Sequence, residues 1–283
     1  MRLDHNRTHC CDCLKGMGEI EDGEIDVIVT SPPYNIGKRY NTYSDRRPDE
    51  EYSSWMEAVG EECSRVLDSS GSIFLNLGFE PKDPWKPFDT ARRFGKDLFL
   101  QNVIIWVKSI AIDGDGVGKR HGINGTVTLG HYKPVPGSRF LNNCFEYIFH
   151  FSKKGDVRLD RLSIGVPYTD KSNVARWKGA GIDRKCRGNV WFIPYDTIQS
   201  ETERPHPTTF PPKLPMMCIM LHGLSRTSMV MDPFMGIGNT AVACRRLGID
   251  YIGFEIDSEY CSIANRRASE EHILTEPVNG RMQ

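Results

Sequence analysis

The sequence predicts an α/β fold: a mostly parallel sheet with helices on both faces. Three observations lead there. Short β-branched or apolar runs alternate with stretches of helical periodicity. The first such run, Ile25-Asp26-Val27-Ile28-Val29-Thr30, halts at Pro32-Pro33, as a strand entering a constrained turn does. A late run, Ser228-Met229-Val230-Met231-Asp232, passes through Gly236 and Gly238 into a helical segment.

Taken in order, Glu50–Leu67 repeats apolar residues at Trp55, Met56, Val59, Cys63, Val66 and Leu67, the spacing of a helix with one buried face. Ser72–Leu77 reads as the next strand, Phe88–Phe94 as a short helix, Val103–Val107 as a strand and Glu146–Phe151 as another. Two stretches lack periodicity. Lys108–Asn142 is Gly-rich, and Lys153–Thr202 carries Trp177, Trp191, Arg176, Arg184 and Arg187; irregular segments of that length are functional or mobile. Order returns at Pro211, with a helix over Pro215–Leu224, a strand over 228–232, a helix over Asn239–Leu247 stopped by Gly248, a strand over Asp250–Glu255 and a helix over Ser258–Glu271.

Composition bounds the function. At 283 residues, 39% hydrophobic and 26% charged, the chain has the makeup of a globular protein with a sizeable core. It has neither a run long enough to span a membrane nor an apolar leader, so the expectation is a cytoplasmic location. Nine cysteines without regular spacing argue against a disulfide framework. Cys10, Cys11 and Cys13 lack a second ligand cluster, so no metal site is expected. Net charge is −1, yet Lys108–Arg187 holds fifteen Lys and Arg against seven Asp and Glu, a local +8 on a remainder of −9. Such a basic middle suits either a nucleic-acid contact or a solvated loop region.

Two strings carry the chemistry. In Asp232-Pro233-Phe234-Met235-Gly236-Ile237-Gly238-Asn239-Thr240 the glycines permit a tight turn and close ligand approach, and the helix that follows offers free N–H groups. Glu255 ends the next strand 17 residues after Gly238, where an acid accepts hydrogen bonds from ribose hydroxyls. A dinucleotide would suit the same pattern, with Ala241 at the third glycine position. In Ser31-Pro32-Pro33-Tyr34 the prolines lack N–H groups and leave carbonyl acceptors, Ser31 adds a hydroxyl, and Tyr34 adds a flat face. Two acceptors can hold both hydrogens of a nucleobase amine and draw its delocalised lone pair out of the ring plane.

With both strings in view, nearly the whole chain resembles the β group of amino DNA methyltransferases, enzymes that use S-adenosyl-L-methionine. The resemblance implies a Rossmann-like core with circularly permuted motif order and an inserted target-recognition region. It divides the chain into 1–107 (catalytic half), 108–205 (a core strand near 145–151 and the DNA target-recognition region) and 206–283 (cofactor half). It implies Ser31, Pro32, Pro33 and Tyr34 as catalytic. Cofactor contacts fall to Asp12, Cys13, Thr30, Asp232, Pro233, Phe234, Gly236, Gly238, Asn239, Thr240, Glu255, Ile256, His206 and Pro207. Asp12 would meet the adenine amine of the cofactor and Glu255 its ribose. Ser31 stands where adenine-N6 members usually carry Asp, and Phe210-Pro211 where many carry Lys-Pro; both point to the cytosine-N4 subset. Phe145 replaces a His in a segment that usually reads His-Glu, so Glu146 is expected as a strand-edge residue.

The implied activity is site-specific methylation of a flipped cytosine in double-stranded DNA, within a restriction-modification system whose endonuclease is a separate protein. Arg176, Lys178, Arg184 and Arg187 are the candidate DNA contacts, and the protein is a monomer or homodimer. Adenine-N6 methylation of DNA, methylation of an RNA base or a protein amide, and a non-catalytic cofactor-binding DNA-recognition protein use the same features. The long central region favours duplex DNA over the smaller substrates.

Overall fold

Val27, Ile28 and Val29 have no exposed surface, and their side chains alternate between two apolar clusters. A strand buried on both faces belongs inside a covered parallel sheet, and each of these side chains contributes roughly 1.5–3 kcal/mol of burial. The computed structural model describes residues 3–114, 122–123, 125–130, 138–171, 174, 183–194 and 209–274. In chain order these form β1 (Arg7–Cys10), α1 (Cys13–Met17), β2 (Ile25–Thr30), α2 (Asp49–Val66), β3 (Leu67–Leu77), α3 (Lys86–Phe94) and β4 (Phe99–Val107). Next come β5 (Ile110–Ile112), β6 (Val127–Leu129), β7 (Phe145–Ser152) and β8 (Val190–Phe192). The chain closes with α4 (Lys213–His222), β9 (Met229–Asp232), α5 (Asn239–Leu247), β10 (Asp250–Glu255) and α6 (Ser258–Glu270).

Eight strands form one sheet in the order β1-β10-β9-β2-β3-β7-β4-β8, and β5 pairs with β6 in a separate hairpin. All neighbours in the large sheet are parallel except β7, which runs antiparallel to β3 and β4. The alternation of side chains assigns the helices. Apolar residues of α1, α2 and α3 meet Ile28, Ile73, Leu75 and Met231 on one face. Those of α4, α5 and α6 meet Val27, Val29, Phe74 and Val230 on the other. Helix α4 is buried on all sides from Leu214 to His222, as its unbroken apolar composition demands.

Chain direction away from β2 and β9 decides where ligands bind. From β2 the chain crosses through α2 to β3 on one side; from β9 it crosses through α5 to β10 on the other. The seam between β2 and β9 is thus the topological switch point, where open α/β sheets leave a crevice beyond the strand ends.

The N-terminal segment departs from the expected division at residue 107. β1 pairs with β10, matching Cys10 to Glu255, so residues 7–10 extend the half of the sheet built by the end of the chain. The Asn265 side chain fastens this edge, accepting from the Thr8 N–H at 2.8 Å and donating to the Thr8 carbonyl at 2.9 Å. The strand expected near 145–151 is present as β7.

Buried polar groups cross-link the core. Ser72 Oγ lies 3.0 Å from His150 Nε2 and 2.9 Å from His222 Nδ1, and Asn102 Nδ2 lies 3.0 Å from His150 Nδ1. Asn102 donates to Nδ1, so His150 carries its proton on Nε2 and donates to Ser72, which donates onward to His222. Burial pushes both imidazoles down to about 4, holding them neutral. No helix among the described residues is long and apolar enough to cross a membrane.

Candidate active site

The two strings meet at the switch point. Thr30 Oγ1 at the end of β2 donates to Asp232 Oδ1 at the end of β9 at 2.7 Å, joining residues 202 apart in sequence. Thr240 Oγ1, in the first turn of α5, donates to Asp232 Oδ2 at 2.6 Å, and the Phe234 N–H donates to Oδ1 at 3.0 Å. Asp232 is 1% exposed, and burial raises its carboxyl to about 6. Of the expected cofactor contacts, Thr30, Asp232 and Thr240 form a clasp beneath the glycine turn, with Asp232 turned inward and its oxygens accepting from the protein itself.

Above the clasp opens a cleft of about 920 Å³, counting the open solvent at its mouth. Asp12, Cys13, Ser31, Pro33, Pro233, Phe234, Gly236, Asn239, Glu255 and Ile256 line it, ten of the expected residues drawn from both halves of the sheet. Gly236 and Gly238 have φ of 52° and 86°, which only glycine adopts without strain. A Cβ on Gly238 would lie 2.8 Å from Ala264 Cα, so this glycine also lets α6 close against the turn.

Acceptor positions suit a ligand that carries a vicinal hydroxyl pair. Glu255 Oε2 accepts from the Gly236 N–H at 2.9 Å and Oε1 from the Asp257 N–H at 2.8 Å. These bonds orient the carboxylate, and each oxygen keeps a second acceptor site for a vicinal hydroxyl pair. Burial leads the shift of Glu255 above its usual range. Asp12 Oδ1 caps α1 through the Leu14 and Lys15 N–H groups, fixing the side chain at the cleft wall. Asn239 reaches the other way: its Nδ2 donates to the Phe210 carbonyl at 2.7 Å, and Arg267 Nη2 donates to its Oδ1 at 2.8 Å.

Residues 35–47 add a wall that sequence reasoning missed. Asp45 is buried and accepts from the N–H groups of Asn35, Ile36 and Lys38 at 2.8, 3.1 and 2.9 Å, gathering the loop around one carboxylate. Tyr40, Thr42, Tyr43 and Arg47 from this loop reach the cleft, with Arg47 packed 4.9 Å over the rings of both Tyr43 and Trp55. Trp55 meets Phe234 edge-on at 5.3 Å. The only local signal was the density of aromatic and basic residues after Tyr34.

The Ser31–Tyr34 tetrapeptide is held by hydrogen bonds to β3, β7 and α2. Ser31 Oγ lies 2.7 Å from Tyr34 Oη, and Tyr34 Oη donates to Glu146 Oε2 at 3.0 Å. Asn76 Nδ2 donates to Tyr34 Oη at 2.8 Å and to Glu146 Oε2 at 2.7 Å. Lys108 Nζ pairs with Glu146 Oε1 at 2.8 Å, both side chains largely buried. Glu146, expected as a strand-edge residue, thus stands inside the site. Pro32 and Tyr34 are not among the residues that line the cleft. Tyr52 Oη donates to the Pro33 carbonyl at 2.8 Å.

Two of the candidate DNA contacts face inward. Arg184 Nη2 donates to the Gly165 carbonyl at 2.8 Å and Arg187 Nε to the Ile164 carbonyl at 2.9 Å, bracing that turn. Burial, and then the neighbouring Arg184 charge, lowers Arg187 below its usual range. Arg176, Lys178, His206 and Pro207 lie outside the described residues.

Comparisons with known proteins establish the family. The chain is 30% identical over 277 residues to the type II methyltransferase M.BglII of Bacillus subtilis, covering 94% of this chain and 69% of that one. It is 27% identical over 257 residues to the DNA adenine methyltransferase YhdJ of Escherichia coli K12, covering 90% and 80%. PvuII DNA methyltransferase (cytosine-N4-specific) superposes with a TM-score of 0.62 at 18% identity, over 99% of this chain and 97% of that one. TTHA0409 of Thermus thermophilus, complexed with S-adenosyl-L-methionine, gives 0.58 at 21% identity over 95% and 98%. The DNA methylase family model matches residues 25–266, taking in both strings and the clasp between them. The chain therefore belongs to the DNA methylase family, enzymes whose methyl donor is S-adenosyl-L-methionine.

Proposed function

We propose that this protein methylates the exocyclic N4 amine of cytosine at a short specific sequence in duplex DNA. The observation that carries the reading is Ser31. Ser31 lines the cleft just after β2, and its hydroxyl lies 2.7 Å from Tyr34 Oη. A neutral hydroxyl there, in place of a carboxylate, together with Phe210-Pro211, favours cytosine over adenine. The relatives include a named adenine enzyme and a structure named cytosine-specific, so the choice rests on these residues.

S-Adenosyl-L-methionine supplies a methyl group already activated by its sulfonium charge. The protein positions the amine. Ser31 Oγ accepts one amine hydrogen and the Pro32 carbonyl the other. The ring of Tyr34, anchored through its hydroxyl, offers a face to the base. A base in the helical stack cannot reach this site, so it must be flipped out. The basic stretch 108–187 supplies the contact to duplex DNA, with Arg176 and Lys178 as candidate base or phosphate contacts. The activity fits a restriction-modification system whose endonuclease is a separate protein, with this chain acting as a monomer or homodimer.

The test is methyl transfer from labelled S-adenosyl-L-methionine to mixed-sequence DNA by wild type, Ser31→Ala and Tyr34→Ala. Each variant is expected to lose activity by about 10²-fold or more. Wild-type rates in both variants would remove the tetrapeptide from the mechanism.

A further inference from the structure

We propose that the proton released by the methylated amine leaves through the hydroxyls of Ser31 and Tyr34 to the carboxylate of Glu146, which Lys108 holds in place. The proposal rests on the reading of Ser31 as the group that meets the amine.

The hydrogen-bond directions carry the argument. Asn76 is 1% exposed, and its Nδ2 lies 2.8 Å from Tyr34 Oη, 2.7 Å from Glu146 Oε2 and 3.4 Å from Ser31 Oγ. The reversed amide would set its oxygen against an ionised carboxylate, so the nitrogen faces this group. Tyr34 Oη therefore accepts from Asn76, and its own proton points to Glu146 Oε2 at 3.0 Å. Ser31 then donates to Tyr34 across 2.7 Å and turns its lone pairs to an incoming N–H. Every donor along the path points away from the amine and toward Glu146.

The far end is a carboxylate held in an ion pair. Glu146 Oε1 pairs with Lys108 Nζ at 2.8 Å, the Glu146 side chain 12% exposed and that of Lys108 16%. Among the described residues, the titratable groups facing Glu146 are Lys108, at the end of β4, and Tyr34, after β2; Asn76 on β3 is uncharged. Gly78 leaves the space for this packing: a Cβ there would lie 2.7 Å from the Tyr34 ring and 3.2 Å from Glu146 Cδ.

The step balances. As the C–N bond forms and the C–S bond breaks, sulfur keeps the electron pair and the nitrogen becomes cationic with one proton in excess. That proton passes to Ser31 Oγ as the Ser31 proton moves to Tyr34 Oη and the Tyr34 proton to Glu146 Oε2. The nitrogen and the carboxylate both end neutral, and Glu146 later returns the proton to water. Glu146 acts through Tyr34 and never touches the base, so it is a positioning residue that also stores the proton.

The test compares Glu146→Gln, Tyr34→Phe and the double variant in single-turnover methylation across about pH 5 to 9, with calorimetry of S-adenosylhomocysteine binding alongside. Each single variant should slow methyl transfer by about 10²-fold and change the shape of its pH profile. The double variant should be no slower than the worse single one, because the groups act as one path. Affinity for S-adenosylhomocysteine should stay within about twofold. Rates within about threefold of wild type in either single variant, or losses that multiply in the double, overturn the relay. Tyr34→Phe removes a single oxygen and carries the test alone if Glu146→Gln does not fold. A wild-type product methylated anywhere but on an exocyclic amine would refute the reading of Ser31 itself, a result separate from any variant's rate.

Discussion

Replacing Asp232 by Asn tests whether the clasp is a structural joint that works without a charge. The carboxyl titrates near 6 in the folded protein because it is buried, against about 3.9 in an unfolded chain. A raised carboxyl favours the folded state below the unfolded value and loses that advantage as pH rises through the folded value. The window is therefore about pH 4 to 6, and by pH 7 the ionised group costs roughly 3 kcal/mol. The substituted amide would not ionise. Its oxygen can still accept from Thr30 and the Phe234 N–H, and Thr240 can turn its hydroxyl to accept from the amide nitrogen. Urea denaturation at pH 4.5 and pH 7.5 should show Asp232→Asn gaining on wild type by about 2 kcal/mol between the two. Asp232→Ala leaves three buried donors without their acceptor and should lose about 3 kcal/mol or more relative to Asp232→Asn. A wild type and Asp232→Asn with parallel pH profiles would refute the reasoning.

Three further outcomes follow from the packing. In the Asp232→Asn background, stability should fall as pH drops from about 6.5 to 4, because His150 and His222 are held neutral down to about 4 and the unfolded chain takes up protons first. Each contributes at most roughly 3 kcal/mol; equal stability at pH 7 and pH 5 would contradict their buried pairing with Ser72. Gly238→Ala forces a left-handed backbone and a 2.8 Å approach to Ala264, so it should cost about 1–2 kcal/mol for the backbone alone and weaken S-adenosylhomocysteine binding by calorimetry. Gly60→Ala would set a Cβ 2.0 Å from the Phe94 carbonyl oxygen where α2 crosses α3, lowering thermal stability by about 1–3 kcal/mol without altering cofactor affinity.

Local pattern made much of this molecule legible. Helix α2 runs from Asp49 to Val66, one residue from the span its apolar spacing predicts, because one buried stripe fixes its register. Gly248 ends α5 with φ of 69°, as a glycine stop should. Glu255 and the glycine turn meet because a strand–turn–helix–strand unit leaves little freedom in where its ends lie. What stayed hidden depends on partners distant in sequence. Arg7-Thr8-His9-Cys10 is too short and polar to announce β1, whose partner strand lies near the other end of the chain. Asp232 sits inside a cofactor string, and only the Thr30 hydroxyl arriving from β2 shows that it joins the halves. Asn76, Lys108 and Glu146 come from or adjoin three different strands, and no spacing along the chain could have gathered them around Tyr34.

The central claim is that Ser31 and the Pro32 carbonyl present a cytosine amine to the methyl donor. The most direct measurement is mass spectrometry of nucleosides released by nuclease digestion after the protein has acted on mixed-sequence duplex DNA with S-adenosyl-L-methionine. The expected product is N4-methylcytosine, formed about 10²-fold more slowly or worse when Ser31→Ala replaces wild type. N6-methyladenine as the product would contradict it.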